Sequence, residues 1–485
     1  MNETEVDGVP VLWADAPGPL TGTIVFGVGA RDESFRTIGI THLVEHLAMS
    51  TLPRVHYEHN AAVDLDTTEF YAAGKPQHVV EFLAAVCTAL AELPLDRIEK
   101  EAGVLAAEGG HVTHPTAAIL LNRRFGANGP GLALWEGPGY DRLSAEQVTE
   151  HVQKFFTRAN AVVTLTGPPP EGLRLPLPDG ERPVRVAPQL VDAGHANWAA
   201  EPSPAPGLAL LGPARDAGAV LAMDVLRERL METARREQGI SYDVDGAHVD
   251  HDTTRADRLI WLDAREGQEA QAATILWQTA QDLATNGPTA EELAFAVEGL
   301  RHMFDDPRAP FGELENAAYA RLFGFPYRTS AELLANAEQV LPAQIAATLT
   351  ESLRTALLTV PEDVELDLGL PLGGCPRTDT VPPGREFRPP RLARLVNKQA
   401  RAARLILSDS GVAIVDGDGD VHHVAFTEVV GVRSEEDGRI LFGRRGCVVP
   451  VLRSLFGGVE PVIEAVDRAV AAELHYAPSE FATND

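Results

Sequence analysis

The sequence predicts an α+β protein with two tandem, related α/β units followed by a smaller strand-rich unit. Strand-like and helix-like hydrophobic periods alternate in the first part of the chain. The same order of elements returns after a proline-rich break, and the last part consists of short apolar runs separated by turn sequences. A length of 485 residues is enough for several hydrophobic cores.

The first unit, residues 1–170, contains strand and helix patterns in alternation. Thr67, Thr68 and Phe70 supply the β-prone residues of one strand, Pro94 separates two helices, and Ser144 opens another with a capping-box residue three positions on. The expected strands are 9–13, 23–28, 63–72 and 161–166. The expected helices are 78–92, 97–109, 144–156 and one that carries the motif at 42–46.

The second unit, residues 207–370, follows a predicted linker at 171–206, which is rich in proline and has no sustained periodicity. Its plan repeats that of the first unit: a strand, a long helix at about 219–238, further strands, and helices from about Gln268 and Ala290. We therefore expect a duplicated fold. A second linker, 371–402, is rich in proline and arginine.

The last unit, residues 403–476, shows short apolar strands with Asp-Gly and Ser-Gly turns between them. A single amphipathic helix is expected at 459–474, and 477–485 form a tail. A strand meander closed by one helix resembles a pleckstrin-homology-like (PH-like) module. For this module we expect a role in protein contact or dimer support.

Composition excludes several classes of partner. The formal net charge of -29 disfavours nucleic acid and anionic membranes and favours neutral or basic ligands. No apolar run reaches the length of a membrane span, and the acidic start is unlike a secretory signal, so we expect a cytoplasmic protein. The cysteines Cys87, Cys375 and Cys447 lack metal-ligand or disulfide spacing, which fits a reducing compartment.

The string His42-Leu43-Val44-Glu45-His46 carries the strongest chemical signal. On a helix, histidines four apart share one face and can bind a single zinc ion, with Glu45 at the edge of that face. A carboxylate in this place can take a proton from an attacking water. The order His-x-x-Glu-His is the signature of the inverzincins. Because a chain with 15 histidines can contain it by chance, the context must support it.

A zinc site needs a third ligand. Glu101 and Glu108 lie two turns apart on one face of the predicted helix 97–109. Glu108 is the candidate ligand, and Glu101 is a candidate to lie behind it and orient a ligand imidazole. The alternative is that both glutamates are simply solvated. Four histidines compete for the third position: His56, His59, His111 and His114.

Together these residues resemble the pitrilysin or insulinase-like (M16) zinc metallopeptidases. The segment 29–33, Gly39 and Leu47 look like that family's surroundings of the zinc helix. Asn60-Ala61 is similar to a strand that lines the substrate cleft, which makes both residues candidates for substrate binding. The resemblance also implies that Glu108, as the second of two paired glutamates, is the metal ligand.

A second motif supports the resemblance independently. The stretch 235–242 is similar to the family's Arg/Tyr motif, and alignment on Gly239 selects Arg235 rather than Arg236, together with Tyr242. A guanidinium and a phenol can hydrogen-bond a peptide carbonyl and stabilise the charge that develops on it. Standing alone, the pair would be read as an ordinary helix end.

The resemblance, which covers about residues 5–370, implies an M16B-like half-chamber subunit with one zinc per chain. In the family, the Arg/Tyr motif of one half serves the zinc of the other. A homodimer is therefore the simplest assembly, and a heterodimer with a sister chain is the alternative. The expected activity is zinc-dependent hydrolysis of short, flexible, neutral or basic peptides, such as leader removal from a bacterial peptide product. The rival hypothesis is a non-catalytic M16-like peptide-binding or assembly subunit.

Two features depart from the family pattern or stand outside it. The interval from His46 to Glu108 is shorter than usual, and Met49-Ser50-Thr51 replaces the usual Gly-Thr, so we expect an altered cleft wall near 50–59. The segment 385–404 is strongly basic, with Glu386 as its one acidic residue. An anionic lipid or nucleic-acid contact is one interpretation. The favoured one is a linker lying on the protein's own acidic surface.

Overall fold

The computed structural model describes residues 1–109, 112–191, 194–375 and 380–481. The protein is α+β, as the sequence predicts. Within the described residues, the strands form two large sheets, which are covered by helices, and two small sheets near the C-terminal end.

The first sheet has the strand order β1-β2-β6-β3-β5-β4 and is antiparallel except where β2 pairs with β6. Its strands are β1 (Asn2–Val6), β2 (Val9–Trp13), β3 (Leu20–Phe26), β4 (Glu58–Val63), β5 (Thr68–Gly74) and β6 (Ala161–Leu165). The helices of this region are α1 (Ile40–Met49), α2 (Pro76–Ala91), α3 (Ile98–Glu108), α4 (Pro115–Phe125) and α5 (Ala145–Phe155). The apolar faces of α1, α2 and α5 pack with the sheet in one core. Strand β4 lies at the edge of the sheet.

The second sheet has the strand order β7-β11-β8-β10-β9. Its strands are β7 (Asn197–Glu201), β8 (Gly207–Pro213), β9 (Ser241–Asp250), β10 (Arg255–Ala264) and β11 (Leu357–Pro361). The helices of this region are α6 (Ala217–Leu230), α7 (Glu269–Asn286), α8 (Ala290–Asp305), α9 (Ala309–Phe323), α10 (Ser330–Ala337) and α11 (Pro342–Leu353). The predicted long helix at 219–238 is α6 followed by a π-helical segment, Met231–Glu237.

Each unit contributes one helix that packs on the sheet of the other unit. Helix α4 comes from the first region but packs on β8, β10 and β11 of the second sheet. Conversely, α9 comes from the second region and packs on β2 and β6 of the first. The back face of each large sheet is therefore covered by a helix that the other region supplies, and the two units share one interface.

The predicted linker 171–206 contains more structure than expected. Leu173, Leu175 and Leu177 are buried in the core of the first unit, and β7 pairs in parallel with β11. These segments are short and interrupted by proline, so neither produces a run of alternating hydrophobicity long enough to recognise. The second sheet thus begins at Asn197, not at the expected position 207.

The C-terminal region has two small sheets, β12-β13-β14-β15 and β18-β17-β16-β19. Their strands are β12 (Arg385–Phe387), β13 (Arg404–Leu407), β14 (Gly411–Val415), β15 (Val421–Ala425), β16 (Val429–Glu435), β17 (Gly438–Gly443), β18 (Val448–Leu452) and β19 (His475–Tyr476). The helices are α12 (Arg391–Val396), α13 (Lys398–Ala402) and α14 (Glu460–Ala469). Helix α14 packs on both sheets in one core and is shorter than the predicted 459–474. The PH-like assignment stays a prediction.

The C-terminal region also packs on the first unit. Phe35 and Trp135 of the first unit form an aromatic cluster with Phe442 and Tyr476. The Ser479 hydroxyl donates a hydrogen bond to Asp141, at 2.6 Å. The region is therefore held against the first unit near the start of α1.

Among the described residues, no single helix has the length and hydropathy to cross a bilayer, and α2 with Leu95–Glu108 meets the criterion only as a pair bent by 83°.

Candidate metal centre

Helix α1 is fixed at its N-terminus by the half-buried carboxylate of Glu33. Glu33 accepts hydrogen bonds from the backbone N–H groups of Gly39, at 2.8 Å, and Thr41, at 3.0 Å. Gly39 has φ 86°, and a Cβ there would lie 2.4 Å from a ring carbon of Tyr140. Only glycine satisfies both the left-handed backbone and this close approach. Contacts that do not involve His42, Glu45 or His46 therefore fix the position of α1.

The imidazoles of His42 and His46 extend from α1 toward the C-terminal end of α3. Their ring centroids are 4.9 Å apart. Oε2 of Glu108 lies 3.4 Å from Nε2 of His46 and 4.0 Å from Nε2 of His42. His42, His46 and Glu108 each provide one ligand atom, and these three atoms all lie within 4.8 Å of one another. The structure thus brings the three predicted ligands together.

The donor set fits a zinc ion. Zinc bonds of about 2.0–2.2 Å to nitrogen and oxygen in a tetrahedron imply donor separations of about 3.3–3.5 Å, near those of this group. Burial, followed by the proximity of His46, lowers the pKa of His42. A lowered pKa favours the neutral imidazole, which is the form that binds a metal.

Glu45 lies beside this group. Its Oε2 is 3.4 Å from Nε2 of His42, and the residue is only 8% exposed. Burial, and then the negative charge of Glu108, raise the pKa of Glu45 to about 7. A carboxyl group with a raised pKa next to a metal position is suited to accept a proton and release it again.

Glu101 lies behind His46. Its Oε2 is 3.9 Å from Nδ1 of His46, on the side of the ring away from Glu108. Arg97 holds the other carboxylate oxygen, with Nη2 at 2.9 Å and Nε at 3.3 Å. A carboxylate next to the remaining nitrogen of a ligand histidine orients the ring and increases its basicity.

Replacing Glu101 with alanine is expected to weaken zinc binding by about 10- to 100-fold, because His46 loses the carboxylate that orients its ring. Competition with a chromophoric chelator measures this affinity. The matched control is Glu99→Ala, since Glu99 is an exposed glutamate on the same helix. Equal affinity in the two variants would contradict a positioning role for Glu101.

Asn60 and Ala61 lie in the middle of β4, which packs beside α1 at the edge of the first sheet. They pair with Tyr71 and Phe70 of β5. In the described part of the chain, the opposite side of β4 has no paired strand. This free backbone edge can accept an extended peptide.

Arg235 and Tyr242 contact each other. The Arg235 guanidinium lies over the Tyr242 ring at 5.6 Å, and Tyr242 is 72% exposed. Arg235 is in the π-helical segment and Tyr242 is in β9. Among the described residues, no hydrogen bond or ion pair joins either side chain to His42, His46 or Glu108. Within one chain, the predicted substrate-binding pair is not part of the metal group.

The competing histidines that the structure describes have other neighbours. Nδ1 of His59 is 3.1 Å from the Tyr57 carbonyl oxygen, and the His114 ring stacks on Trp261 at 4.7 Å. His56 is exposed, and His111 lies outside the described residues.

His151 is a buried neighbour of α1 that the sequence analysis did not single out. Its Nε2 is 3.1 Å from the Thr41 hydroxyl. Burial, with a smaller effect of Lys154, lowers the pKa of His151 to about 3. The sequence does indicate its burial, because His151 lies halfway along an amphipathic helix and a histidine on the apolar face of such a helix is expected to be buried.

Replacing His151 with glutamine is expected to reduce the loss of stability in acid. Between pH 6.5 and the folded-state value, the unfolded chain binds a proton here that the folded chain does not, so the free energy of unfolding falls as the pH falls. From pH 6.5 to about pH 5, this group alone accounts for about 2 kcal/mol. Urea unfolding at the two pH values measures the difference. The exposed His195→Gln serves as control, and an unchanged pH slope in His151→Gln would refute the prediction.

The comparisons with known proteins rest on structure. No protein-family model and no curated protein matches the sequence. A solved peptidase M16 inactive domain from Pseudomonas fluorescens superimposes with a TM-score of 0.61 at 15% identity, over 74% of this chain and 97% of that one. The chain has the M16 peptidase fold. This similarity shows the architecture alone.

Two further M16-fold neighbours bear on the comparison. A protease from Helicobacter pylori matches with a TM-score of 0.61 at 14% identity, over 74% of this chain and 99% of that one. The periplasmic protease PqqL from Escherichia coli matches with a TM-score of 0.57 at 14% identity, over 90% of this chain but only 56% of PqqL. Proteases and an inactive domain thus share this fold.

Proposed function

We propose that this M16-fold chain is a zinc-dependent metallopeptidase that hydrolyses short, flexible peptides. The observation that carries the proposal is the convergence of His42, His46 and Glu108, with Glu45 beside them. Two imidazoles and one carboxylate form a three-ligand set that leaves a further coordination position for water or substrate.

The chain's own groups divide the work of hydrolysis. A zinc ion bound here would polarise the peptide carbonyl and make the attacking water more acidic. Glu45 accepts the proton of that water and passes it to the leaving amine. Arg235 and Tyr242 hydrogen-bond the substrate carbonyl and stabilise the negative charge that develops on its oxygen.

Strand β4 is the proposed platform for the substrate. A peptide that adds to its free edge would run past α1 with its backbone hydrogen-bonded at Asn60 and Ala61. Strand addition requires an extended segment, which favours short, flexible peptides over folded proteins. The net charge of -29 favours neutral or basic sequences among them.

We propose a homodimeric chamber with two equivalent sites. Among the described residues, no hydrogen bond or ion pair joins Arg235 or Tyr242 to the metal group of the same chain, and this supports a dimer in which a second copy supplies the pair. The match to 56% of PqqL also fits a half-chamber. A heterodimer with a related chain is the alternative assembly. Leader removal from a peptide product in the cytoplasm is the biological role we propose.

Mixing two inactive variants tests whether the pair acts across the interface. A Glu45→Gln chain keeps Tyr242, and a Tyr242→Phe chain keeps Glu45. If the pair acts across the dimer, each mixed dimer contains one intact site, so random mixing restores about a quarter of the wild-type activity. Absence of recovery in mixtures shown by native mass measurement to contain mixed dimers would contradict this arrangement.

The metal assignment has its own test. Zinc content and cleavage of a mixed peptide library are compared for the wild type, His46→Ala and His56→Ala, the last being the control at an exposed histidine. We expect His46→Ala to lose the zinc ion held by His42, His46 and Glu108, together with the cleavage, and His56→Ala to keep both. A wild type that binds zinc at this site and cleaves no peptide would refute the peptidase assignment.

A second candidate function is a non-catalytic peptide-binding or assembly subunit. The observation in its favour is the likeness to an M16 domain described as inactive. It predicts peptide binding along β4 with no hydrolysis in the wild type, so the same library experiment separates the two candidates.

A further inference from the structure

A second group of metal-ligating side chains shares no residue with the first. Cys375, His422 and Cys447 come from three separate segments of the chain and bring one donor atom each to within 4.8 Å of the others. Sγ of Cys375 is 2.7 Å from Nδ1 of His422 and 3.4 Å from Sγ of Cys447. His422 and Cys375 are half-buried, and Cys447 is buried.

These donors suit a zinc ion. Two thiolates and an imidazole are soft to borderline ligands, which favour zinc over hard cations. Zinc bonds of about 2.3 Å to sulfur and about 2.0–2.1 Å to nitrogen imply donor separations of about 3.5–3.8 Å in a tetrahedron. The sulfur–sulfur distance is close to this value and well beyond a covalent disulfide bond of about 2.05 Å. Sγ of Cys375 and Nδ1 of His422, which are 2.7 Å apart, would have to separate by about 0.8 Å to bind one ion.

The second nitrogen of His422 points to the same conclusion. Nε2 lies 3.6 Å from Oδ2 of Asp416, while Nδ1 faces the two sulfurs. Metal-bound histidines usually present their remaining N–H to a carboxylate, which fixes the tautomer and the ring orientation. Asp416 is placed for this role.

The position in the fold indicates what an ion would do here. Cys375 lies on the segment that leads from the second unit into the C-terminal region, His422 is on β15, and Cys447 is at the hairpin between β17 and β18. An ion would therefore tie the incoming chain to both small sheets. In the same hairpin, the Arg444 carbonyl accepts a hydrogen bond from Ala127 at the end of α4, at 2.9 Å. The site thus lies next to a contact between the C-terminal region and the first unit.

We propose that Cys375, His422 and Cys447 bind a second zinc ion, with water in the fourth position, and that this ion fixes the C-terminal region. The proposal is independent of the peptidase assignment, because it uses none of the residues around Glu45. Under it the chain binds two zinc ions, of which only the one at His42, His46 and Glu108 serves hydrolysis.

Cobalt substitution tests the site in the full-length protein. When Co²⁺ replaces zinc under reducing conditions, thiolate ligands produce a sulfur-to-cobalt charge-transfer absorption in the near ultraviolet, which histidine and glutamate ligands do not. We expect this band in the wild type and in His46→Ala. We expect its loss in Cys375→Ser and His422→Asn, and its retention in His423→Asn, the neighbouring histidine on β15.

Zinc analysis completes the test. The expected content is two zinc ions per chain in the wild type and one in either His46→Ala or Cys375→Ser. Because Cys375 lies on a half-buried connecting segment, its serine variant is expected to fold, which circular dichroism checks. A wild type without the thiolate band, or one in which Cys375 and Cys447 form a disulfide under these conditions, would overturn the proposal.

Discussion

Replacing Glu45 with glutamine is expected to lower the kcat for peptide hydrolysis by about 10²- to 10⁴-fold while the zinc stays bound. Glutamine keeps the shape of the side chain but cannot accept the proton of the attacking water. The ligands His42, His46 and Glu108 are untouched, so metal analysis should give the wild-type zinc content. The expected signature is loss of turnover without loss of metal.

The environment of Glu45 indicates that the substitution should affect turnover without lowering the folding stability. Burial raises the pKa of its carboxyl group to about 7, which means that the folded protein gains little from its charge. Neutral glutamine should therefore leave the free energy of unfolding of the metal-free protein unchanged or slightly higher. Glu81→Gln, an exposed glutamate on α2, is the matched control. Wild-type turnover in Glu45→Gln would show that Glu45 is not the base.

Replacing Asp257 with alanine is expected to lower the free energy of unfolding by about 3–5 kcal/mol. Asp257 and Arg124 are both fully buried, and Nε of Arg124 lies 3.2 Å from Oδ2 of Asp257. Nε2 of His251 lies 2.8 Å from the same oxygen. The substitution leaves a buried guanidinium without its carboxylate, which costs far more than the loss of a surface ion pair.

This ion pair also joins the two units, because Arg124 is on the exchanged helix α4 and Asp257 is on β10. Burial acts to raise the pKa of Asp257, but Arg124 and His251 outweigh it and hold the pKa below its ordinary value. A depressed carboxyl pKa contributes stability above the unfolded-state value of 3.8 and loses it as the pH falls through the folded-state value.

Thermal and urea unfolding of Asp257→Ala measure the effect. Glu351→Ala is the matched control, since Glu351 forms an exposed ion pair with Arg354 and should cost about 0–1 kcal/mol. Equal stability of the two variants would contradict a structural role for the buried pair.

The metal group could be predicted because its ligands and their neighbours lie only a few residues apart along two helices. His42 and His46 share a face by helix geometry alone, and Glu101 and Glu108 share another two turns apart. Only their meeting across α1 and α3 required the fold, and the resemblance to M16 peptidases supplied that expectation. The role of Arg235 and Tyr242 at the metal group stays a prediction, because among the described residues neither side chain forms a hydrogen bond or ion pair with His42, His46 or Glu108.

The remaining features depend on contacts between distant segments. Hydrophobic periodicity predicts that α4 and α9 each have an apolar face, but it does not predict which sheet that face packs on. The packing of each helix on the other unit's sheet therefore could not be predicted from the sequence. Strand β7 could not be predicted because it is short and lies in a proline-rich segment without recognisable alternation of hydrophobic residues. Cys375, His422 and Cys447 are spread over 73 positions, so no short motif links them and the cysteine spacing alone does not predict a metal site.

The most direct test of the peptidase assignment is hydrolysis of a peptide by the zinc-loaded full-length chain in ¹⁸O-labelled water. Mass spectrometry of the products shows whether the new carboxyl group carries a water oxygen. The proposed mechanism predicts single ¹⁸O incorporation at the cleaved bond with the wild type and almost none with Glu45→Gln. Absence of labelled product from a zinc-loaded wild-type dimer, across a mixed peptide library, would contradict it.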